Sequence, residues 1–370
     1  MHGKIVKGYQ LTPMPTFVIG NEAGDLDSIV SSMLVAHFLN QQQQQHGSYQ
    51  AVLPFPPEQF RLRRDAVNLF TRSGYYDMVH DTPTSLLFID QVLPTKVVLT
   101  DANKPGSHLA KFDNLQVMGI FDHHRDERQH LDLPMRVVDE TAGSCCSVVL
   151  DHFAQLELPR SLALLALGCI LLDTRNMGTE VKYSQVDKRA LAKVMQVMGT
   201  EGVNCRQLYD ELMLARSDVS HLSLDELFQL DYKQDGGLGF ATLLCSPKLL
   251  PPLKQVEQAM WKLLLQRNLD VVCAITSPDE ATRGFYLLAK TDPVGQELAF
   301  GLMHHKQNLS QAYLSLPLCL AQQIPEMGFG LLPMPNCQPI GNFSAWWIRG
   351  ALTRKTMLPA LLELMSKRLK

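Results

Sequence analysis

In the first half of this 370-residue chain, apolar runs stop repeatedly on an aspartate. The runs are Ile89-Asp90, Leu99-Thr100-Asp101 and Ile120-Phe121-Asp122, and the longer stretch Leu162 to Leu172 ends in Asp173-Thr174. An earlier run, Phe17-Val18-Ile19, leads into Gly20-Asn21-Glu22-Ala23-Gly24-Asp25-Leu26-Asp27-Ser28, with two carboxylates two residues apart. Runs as short as Phe17 to Ile19, Leu86 to Ile89, Val97 to Leu99 and Val117 to Phe121 read as buried strands. Between and after them, Ser28 to Leu39, Glu58 to Phe70, Ser144 to Phe153 and Ser161 to Leu171 carry helical patterns. Strands alternating with helices predict an α/β fold with a mostly parallel sheet. The carboxyl ends of parallel strands line one crevice, so the terminal acids can meet there.

The texture changes after about Asn204. Helical stretches Cys205 to Ala215 and Leu224 to Leu230 precede Gly236-Gly237. Then come strand-like Phe240 to Cys245, helix Pro251 to Gln266, strands Asp270 to Thr276 and Phe285 to Ala289, and a last helix near the C-terminus. The length suits two domains. We place the first at 1–206, carrying the acids, and a smaller α/β domain at 207–370.

Composition narrows the function classes. Charged residues are 19% and hydrophobic ones 46%, as in folded globular chains. The longest apolar run is too short to span a bilayer, so no membrane partner is expected. Met1-His2-Gly3-Lys4 leads into polar residues and Pro13 and Pro15 without an apolar signal core, which predicts a cytoplasmic protein. The formal charge of −3 supplies no general field for nucleic acid, so any polyanion has to be gripped by local clusters. Eight cysteines without a C-x-x-C pair fit buried thiols in a reducing compartment.

Several of these residues have plain readings on their own. Asp90 reads as a turn residue, Asp27-Ser28 as a helix cap, His304-His305 as surface, and Cys145-Cys146 as small residues for tight helix packing. The order Asp-x-Asp, strand-Asp, Asp122-His123-His124, apolar-Asp173-Thr174 points further. Several carboxylates with an imidazole suit Mn²⁺ or Mg²⁺, whereas zinc more often shows three histidines or thiolates.

That ordered set resembles the DHH phosphoesterase superfamily, and within it the exopolyphosphatase and prune branch, related to family II inorganic pyrophosphatases. The resemblance extends over Gly20 to Ser28, Leu62-Arg63-Arg64-Asp65, Gly119 to His124, Gly143-Ser144-Cys145, Leu171 to Met177, Asp231-Tyr232-Lys233 and Thr353-Arg354-Lys355. It implies a DHH domain followed by a DHHA2-type substrate domain, with the active site in the cleft between them. It also implies two divalent cations, Mn²⁺ or Mg²⁺ with Co²⁺ as a further option. Asn21, Asp25 and Asp101 would surround one, and Asp27, Asp101, His123 and Asp173 the other. Catalytic roles would fall to His124, Asp101 and Asp122, and substrate contacts to Arg354, Lys355, Lys233, Arg63, Arg64 and Ser144. Asn21 stands where the pyrophosphatases carry a metal-binding histidine; asparagine there matches the exopolyphosphatase and prune pattern. Its amide oxygen would be a harder ligand, closer to what Mg²⁺ accepts.

The chemistry agrees with the resemblance. Phosphoanhydride hydrolysis needs a nucleophile at neutral pH and a sink for phosphoryl charge, which two cations about 3.5–4 Å apart supply. Arg354 and Lys355 sit near the expected start of the last helix, where cations oppose the dipole unless an anion binds between them. The expected activity is release of orthophosphate from the end of inorganic polyphosphate. The alternatives are a pyrophosphatase or short-chain polyphosphate or nucleotide phosphohydrolase, and a prune-like regulatory interaction protein. The intact acid set favours an enzyme. Gly236-Gly237-Leu238-Gly239 lacks the histidine of oligoribonucleotide-cleaving relatives, so no nucleic acid substrate is expected.

Overall fold

A computed structural model describes residues 15–42, 48–179, 181–199, 203–277, 282–291, 332–333, 343–349, 357, 361–362 and 365. The chain divides into two compact units. One is Met1–Arg61 with Ala66–Leu212, and the other is Leu62–Asp65 with Met213–Lys370.

The first unit runs β1 (Thr16–Ile19), α1 (Leu26–Gln42), β2 (Tyr49–Leu53), α2 (Arg64–Ser73), the short pair β3 (Tyr76–Asp77) and β4 (Thr82–Pro83), β5 (Leu87–Phe88), β6 (Lys96–Thr100), β7 (Gln116–Asp122) and β8 (Arg136–Val138). Helices α3 (Cys145–His152), α4 (Arg160–Asp173), α5 (Gln185–Met198) and α6 (Cys205–Ser217) follow, α6 crossing into the second unit. Six strands form one sheet in the order β5-β2-β1-β6-β7-β8, every pairing parallel. Alternation divides its side chains: Val18 and Val98 join the core under α1, α3, α4 and α5, while Phe17, Ile19, Val97 and Leu99 pack on the opposite face. Strand order reverses between β1 and β6, because the chain leaves β1 toward β2 and β5 and returns at β6. That reversal opens a crevice at the carboxyl ends of β1 and β6, the usual ligand position in such sheets.

Two close approaches fix the loop at the end of β1. A Cβ on Gly20 would lie 1.9 Å from Ser28 Oγ, so only glycine lets the loop cross the start of α1 there. Gly24 has φ +52°, the left-handed region. The expected cap Asp27-Ser28 lies one step inside the helix: Asp25 Oδ1 accepts from the Ser28 N–H at 3.1 Å, leaving Asp27 within the first turn.

The second unit holds α7 (Leu224–Leu230), β9 (Tyr232–Asp235), β10 (Leu238–Leu243), α8 (Leu253–Gln266), β11 (Val271–Thr276), β12 (Thr282–Ala289), β13 (Leu332–Pro333) and β14 (Phe343–Arg349). Its sheet order is β13-β14-β12-β11-β10-β9, and only β10 with β11 is parallel. Leu227, Phe228, Val256, Met260 and Leu264 of α7 and α8 cover one face of it. Among the described residues, no helix is long and apolar enough to cross a membrane.

Among the described residues, the strands and helices expected from apolar periodicity are present, with shifts of a few residues at their ends; the last helix expected near the C-terminus lies largely outside them. Strands β2, β3, β4, β8, β9 and β13 and helix α5 were not expected. The helix expected over Glu58 to Phe70 is two pieces, a 3-10 stretch Pro57–Leu62 and then α2, with the break at Arg63.

Candidate metal centre

The site grows from three neighbouring strand ends, β1, β6 and β7, and from the ends of three helices, α1, α3 and α4. Asp101 follows β6 directly and adopts φ +54°, which aspartate tolerates better than most residues. Its N–H donates to Phe121 O at 2.9 Å, which ties it to the neighbouring strand. Its carboxylate is 3% exposed, with Asn21 Nδ2 donating to Oδ2 at 2.5 Å. Oδ1 has no hydrogen bond, and His123 Nε2 and His124 Nδ1 stand 3.3 and 3.4 Å from it. Burial pushes the Asp101 carboxyl up to about 7; the neighbouring His123 imidazole opposes this, and the charges of Asp25 and Asp27 add to the rise.

Asp27 is gripped by the N-terminus of α3. Its Oδ1 accepts from Ser144 Oγ at 2.7 Å and Cys146 N at 2.9 Å, and its Oδ2 accepts from Cys145 N at 2.6 Å. Helix-terminal N–H groups lack partners within the helix, so a carboxylate there is doubly favoured. Asp173 is the last residue of α4. Burial pushes the Cys169 thiol up to about 12, and the charges of Asp27, Asp173 and Asp25 add to that rise. After Asp173, Arg175, Asn176 and Met177 all have φ between +46° and +57°. A run of left-handed residues costs about 1 kcal/mol or more for each, and such strain clusters at functional sites. Asn176 N to Leu171 O at 2.7 Å and Met177 N to Thr174 Oγ1 at 3.1 Å hold it.

The two histidines have defined tautomers. Ala142 O lies 3.2 Å from His123 Nδ1 and can only accept, so Nδ1 carries the proton and Nε2 turns its lone pair toward Asp101 and, at 3.9 Å, Asp27. For Asp122, burial favours the neutral acid. The hydrogen bond from His124, the histidine charges and the Asn103 amide outweigh it and bring the carboxyl down to about 2. An ionised Asp122 only accepts, so His124 Nδ1, at 2.8 Å from Oδ1, is its donor and Nε2 points away from it.

A divalent cation fits this arrangement. A buried carboxylate oxygen without a hydrogen bond, an imidazole lone pair beside it and further carboxylates form an oxygen-rich, hard donor set of the kind Mn²⁺ and Mg²⁺ take. A second cluster of Asp27, Cys146 and Cys169 is a poor ligand set, because burial holds both thiols protonated well above neutral pH.

The structure thus gathers Asn21, Asp25, Asp27, Asp101, Asp122, His123, His124, Ser144 and Asp173 in one unit. Asn21 aims its amide nitrogen at Asp101, and its oxygen accepts from Ala23 N at 2.9 Å. Asp122 is fully buried, with four donors on its two oxygens, one of them the His124 ring. Ser144 is likewise buried and turned onto Asp27. The second unit holds the expected substrate arginines in internal pairs. Arg63 is 5% exposed and donates to Leu230 O at 3.3 Å, and Arg64 pairs with Asp218 at 2.9 Å. Lys233 lies half-buried on β9. Asp90 is an exposed turn residue. Arg354, Lys355 and His304-His305 lie outside the described residues, as do the side chains of Trp346 and Trp347.

Sequence reasoning missed Asn103. Its amide donates to Asp122 Oδ2 at 2.5 Å and Arg125 O at 2.9 Å, and its oxygen accepts from Glu127 N at 2.8 Å, so it clamps the loop after β7. Its place two residues after Asp101, on the next loop, was the available signal.

Residues 15–171 match the family described as "DHH family, N-terminal domain". A Schizosaccharomyces pombe protein named "Putative exopolyphosphatase" is 29% identical over 245 residues, 60% of this chain. That match spans 60% of the yeast protein's own length. "Exopolyphosphatase PRUNE1" of Mus musculus is 24% identical over 361 residues, 94% of this chain and 75% of the mouse protein. A crystal structure titled as a Methanococcus jannaschii putative family II inorganic pyrophosphatase superposes with TM-score 0.63 at 16% identity, covering 95% of this chain and 99% of that one. That likeness is one of fold.

Proposed function

We propose, on the match of residues 15–171 to the DHH family's N-terminal domain, that this protein is a metal-dependent phosphoanhydride hydrolase that releases orthophosphate from the end of inorganic polyphosphate. The observation that carries the reading is the meeting of Asp101 Oδ1 and His123 Nε2, 3.3 Å apart, at the reversal point of a parallel sheet, with Asp27 Oδ2 3.9 Å from the same nitrogen and the charges of Asp25 and Asp27 acting on Asp101.

In this reading Asp25 and Asp101 hold one divalent cation and Asp27, Asp101, His123 and Asp173 the other. When bound, the cations neutralise charge developing on the attacked phosphoryl group and activate the attacking water. The chain's own groups do the rest. Asn21 and the residues of the α3 N-terminus keep Asp101 and Asp27 in place before substrate arrives, so no reorganisation is needed at the moment of reaction. The Ala142 carbonyl keeps His123 in the tautomer a cation requires. Asp122, itself held by Asn103, fixes His124 so that Nε2 faces outward, where it can donate a hydrogen bond or a proton to the phosphate. Arg354, Lys355 and Lys233, with Arg64 once it exchanges Asp218 for an anion, supply cations for the chain of phosphates in a DHHA2-type substrate domain.

The test is orthophosphate release from pyrophosphate, tripolyphosphate and long-chain polyphosphate with Mn²⁺ or Mg²⁺. Turnover of tripolyphosphate and longer chains above that of pyrophosphate supports the reading. Turnover confined to pyrophosphate, or none on any of the three, contradicts it.

A further inference from the structure

Two carboxylates that share a cation must be held at a separation set by the ion's bond lengths, within a few tenths of an ångström. Asp27 lies in the first turn of α1 and Asp101 at the end of β6, so neither element alone fixes the distance between them. Among the described residues, Cys145 is bonded to both. Its N–H donates to Asp27 Oδ2 at 2.6 Å. Its Sγ accepts from the Asp101 N–H at 3.3 Å and donates to Phe121 O at 3.3 Å. Phe121 O is also the acceptor of the Asp101 N–H, at 2.9 Å, so thiol, amide and carbonyl close a small ring on the residue before Asp122.

The side chain is fully buried. Its Sγ both accepts and donates a hydrogen bond, as an S–H can and a side chain without a polar atom cannot. Cys146 makes the contrast. Its N–H also serves Asp27, but its Sγ donates to the Asp27 backbone oxygen at 3.8 Å and bonds with Cys169, and no hydrogen bond joins it to Asp101 among the described residues.

We propose that the Cys145 side chain is a positioning residue that sets the spacing of Asp27 and Asp101, and through it the affinity of the cation they share. The inference rests on the metal-centre reading above and assigns it a determinant that does not touch the metal. Backbone N–H groups grip Asp27 whatever side chain stands at 145, so truncating that side chain loosens Asp101 relative to Asp27 and leaves the grip in place.

The test is equilibrium Mn²⁺ binding to metal-stripped full-length protein, read from the free-ion electron paramagnetic resonance signal, together with the thermal midpoint of each protein without metal. Cys145→Ala should weaken one of the two Mn²⁺ sites about tenfold or more, the usual cost of losing an outer contact to a ligand. Its metal-free midpoint should stay close to that of the wild type. Cys145→Ser, with the same donor and acceptor capacity on a shorter bond, should fall between the two. Val149→Ala, which truncates a buried side chain of the same helix away from the acids, should bind Mn²⁺ as the wild type does. Equal affinity in wild type and Cys145→Ala overturns the proposal, as does equal weakening by Val149→Ala, which would mark the effect as loss of packing. If the wild type shows no saturable Mn²⁺ binding, the metal-centre reading fails and this inference with it. A wild type that binds while Cys145→Ala binds equally well removes the inference alone.

Discussion

Among the described residues, two six-stranded sheets differ in connectivity. In the first, every pairing is parallel, so all carboxyl ends share one edge and the loops leaving β1, β6 and β7 emerge side by side. In the second, only one pairing is parallel, and successive strand ends alternate between edges. Among the described residues, both clusters of metal-competent side chains belong to the first unit. Two arginines of the second unit are instead tied within it, Arg63 to Leu230 and Arg64 to Asp218. Parallel connectivity collects acids that are far apart in sequence, and the mixed sheet offers no such edge.

The sharpest way to break this contrast is at Asp101. Asp101→Asn removes one charge at the point where three strand ends meet, and turnover should fall about 100- to 1000-fold. The fold should persist, because burial already disfavours that charge. Circular dichroism beside a phosphate-release assay measures both, and near-normal turnover at saturating Mn²⁺ would remove Asp101 from the centre. Next in size is Asp122→Asn, which loosens His124 without touching a cation. We expect about a hundredfold loss in kcat with KM and Mn²⁺ affinity kept. A parallel loss of Mn²⁺ affinity would place Asp122 among the ligands.

The third prediction uses pH. Asp101 must lose its proton to bind a cation, so Mn²⁺ affinity should fall about tenfold for each unit below 7, with a proton released on binding. The metal-free protein should behave in the opposite sense. Asp101 is raised from 3.8 to about 7, so its contribution to stability is full below 3.8 and lost as pH rises toward 7. Asp122 is lowered to about 2, so its contribution is present above 3.8 and lost as pH falls through 2. Thermal midpoints between pH 4 and 8, with and without Mn²⁺, should therefore diverge as pH rises; parallel curves would contradict the assignment.

The smallest effects belong to the second unit. Arg63→Ala removes a buried charged donor and should cost about 2 kcal/mol in urea unfolding. Arg64→Ala should leave stability unchanged, since its pair is exposed, and raise KM a few-fold for polyphosphate. If Arg63→Ala raises KM and spares stability, the two arginines have exchanged roles.

Much of the first sheet was legible because buried parallel strands are short apolar runs and their terminal acids are conspicuous. Strand β2 escaped because Gln50 interrupts its apolar pattern next to a glutamine-rich stretch. Strand β8 escaped because it has only three residues, all half-buried. The acids and histidines of the site could be read as residue types. Their partners could not: the grip on Asp27 is largely backbone N–H from Cys145 and Cys146, and backbone donors have no residue signature. Direction was equally hidden. Asn21 carries both a donor and an acceptor, and which one faces Asp101 is decided by the Ala23 N–H beside it. Arg63 and Arg64 advertise charge in the sequence, but the packing of residues 62–65 with the second unit decides that one is buried and the other paired.

The central claim is that the strand-end acids of the first sheet form a two-cation centre. Its most direct test is the stoichiometry of Mn²⁺ bound at equilibrium by the metal-stripped wild-type protein at pH 8. The account predicts two saturable sites per chain. Binding of one ion, or only weak unsaturable binding, would contradict it.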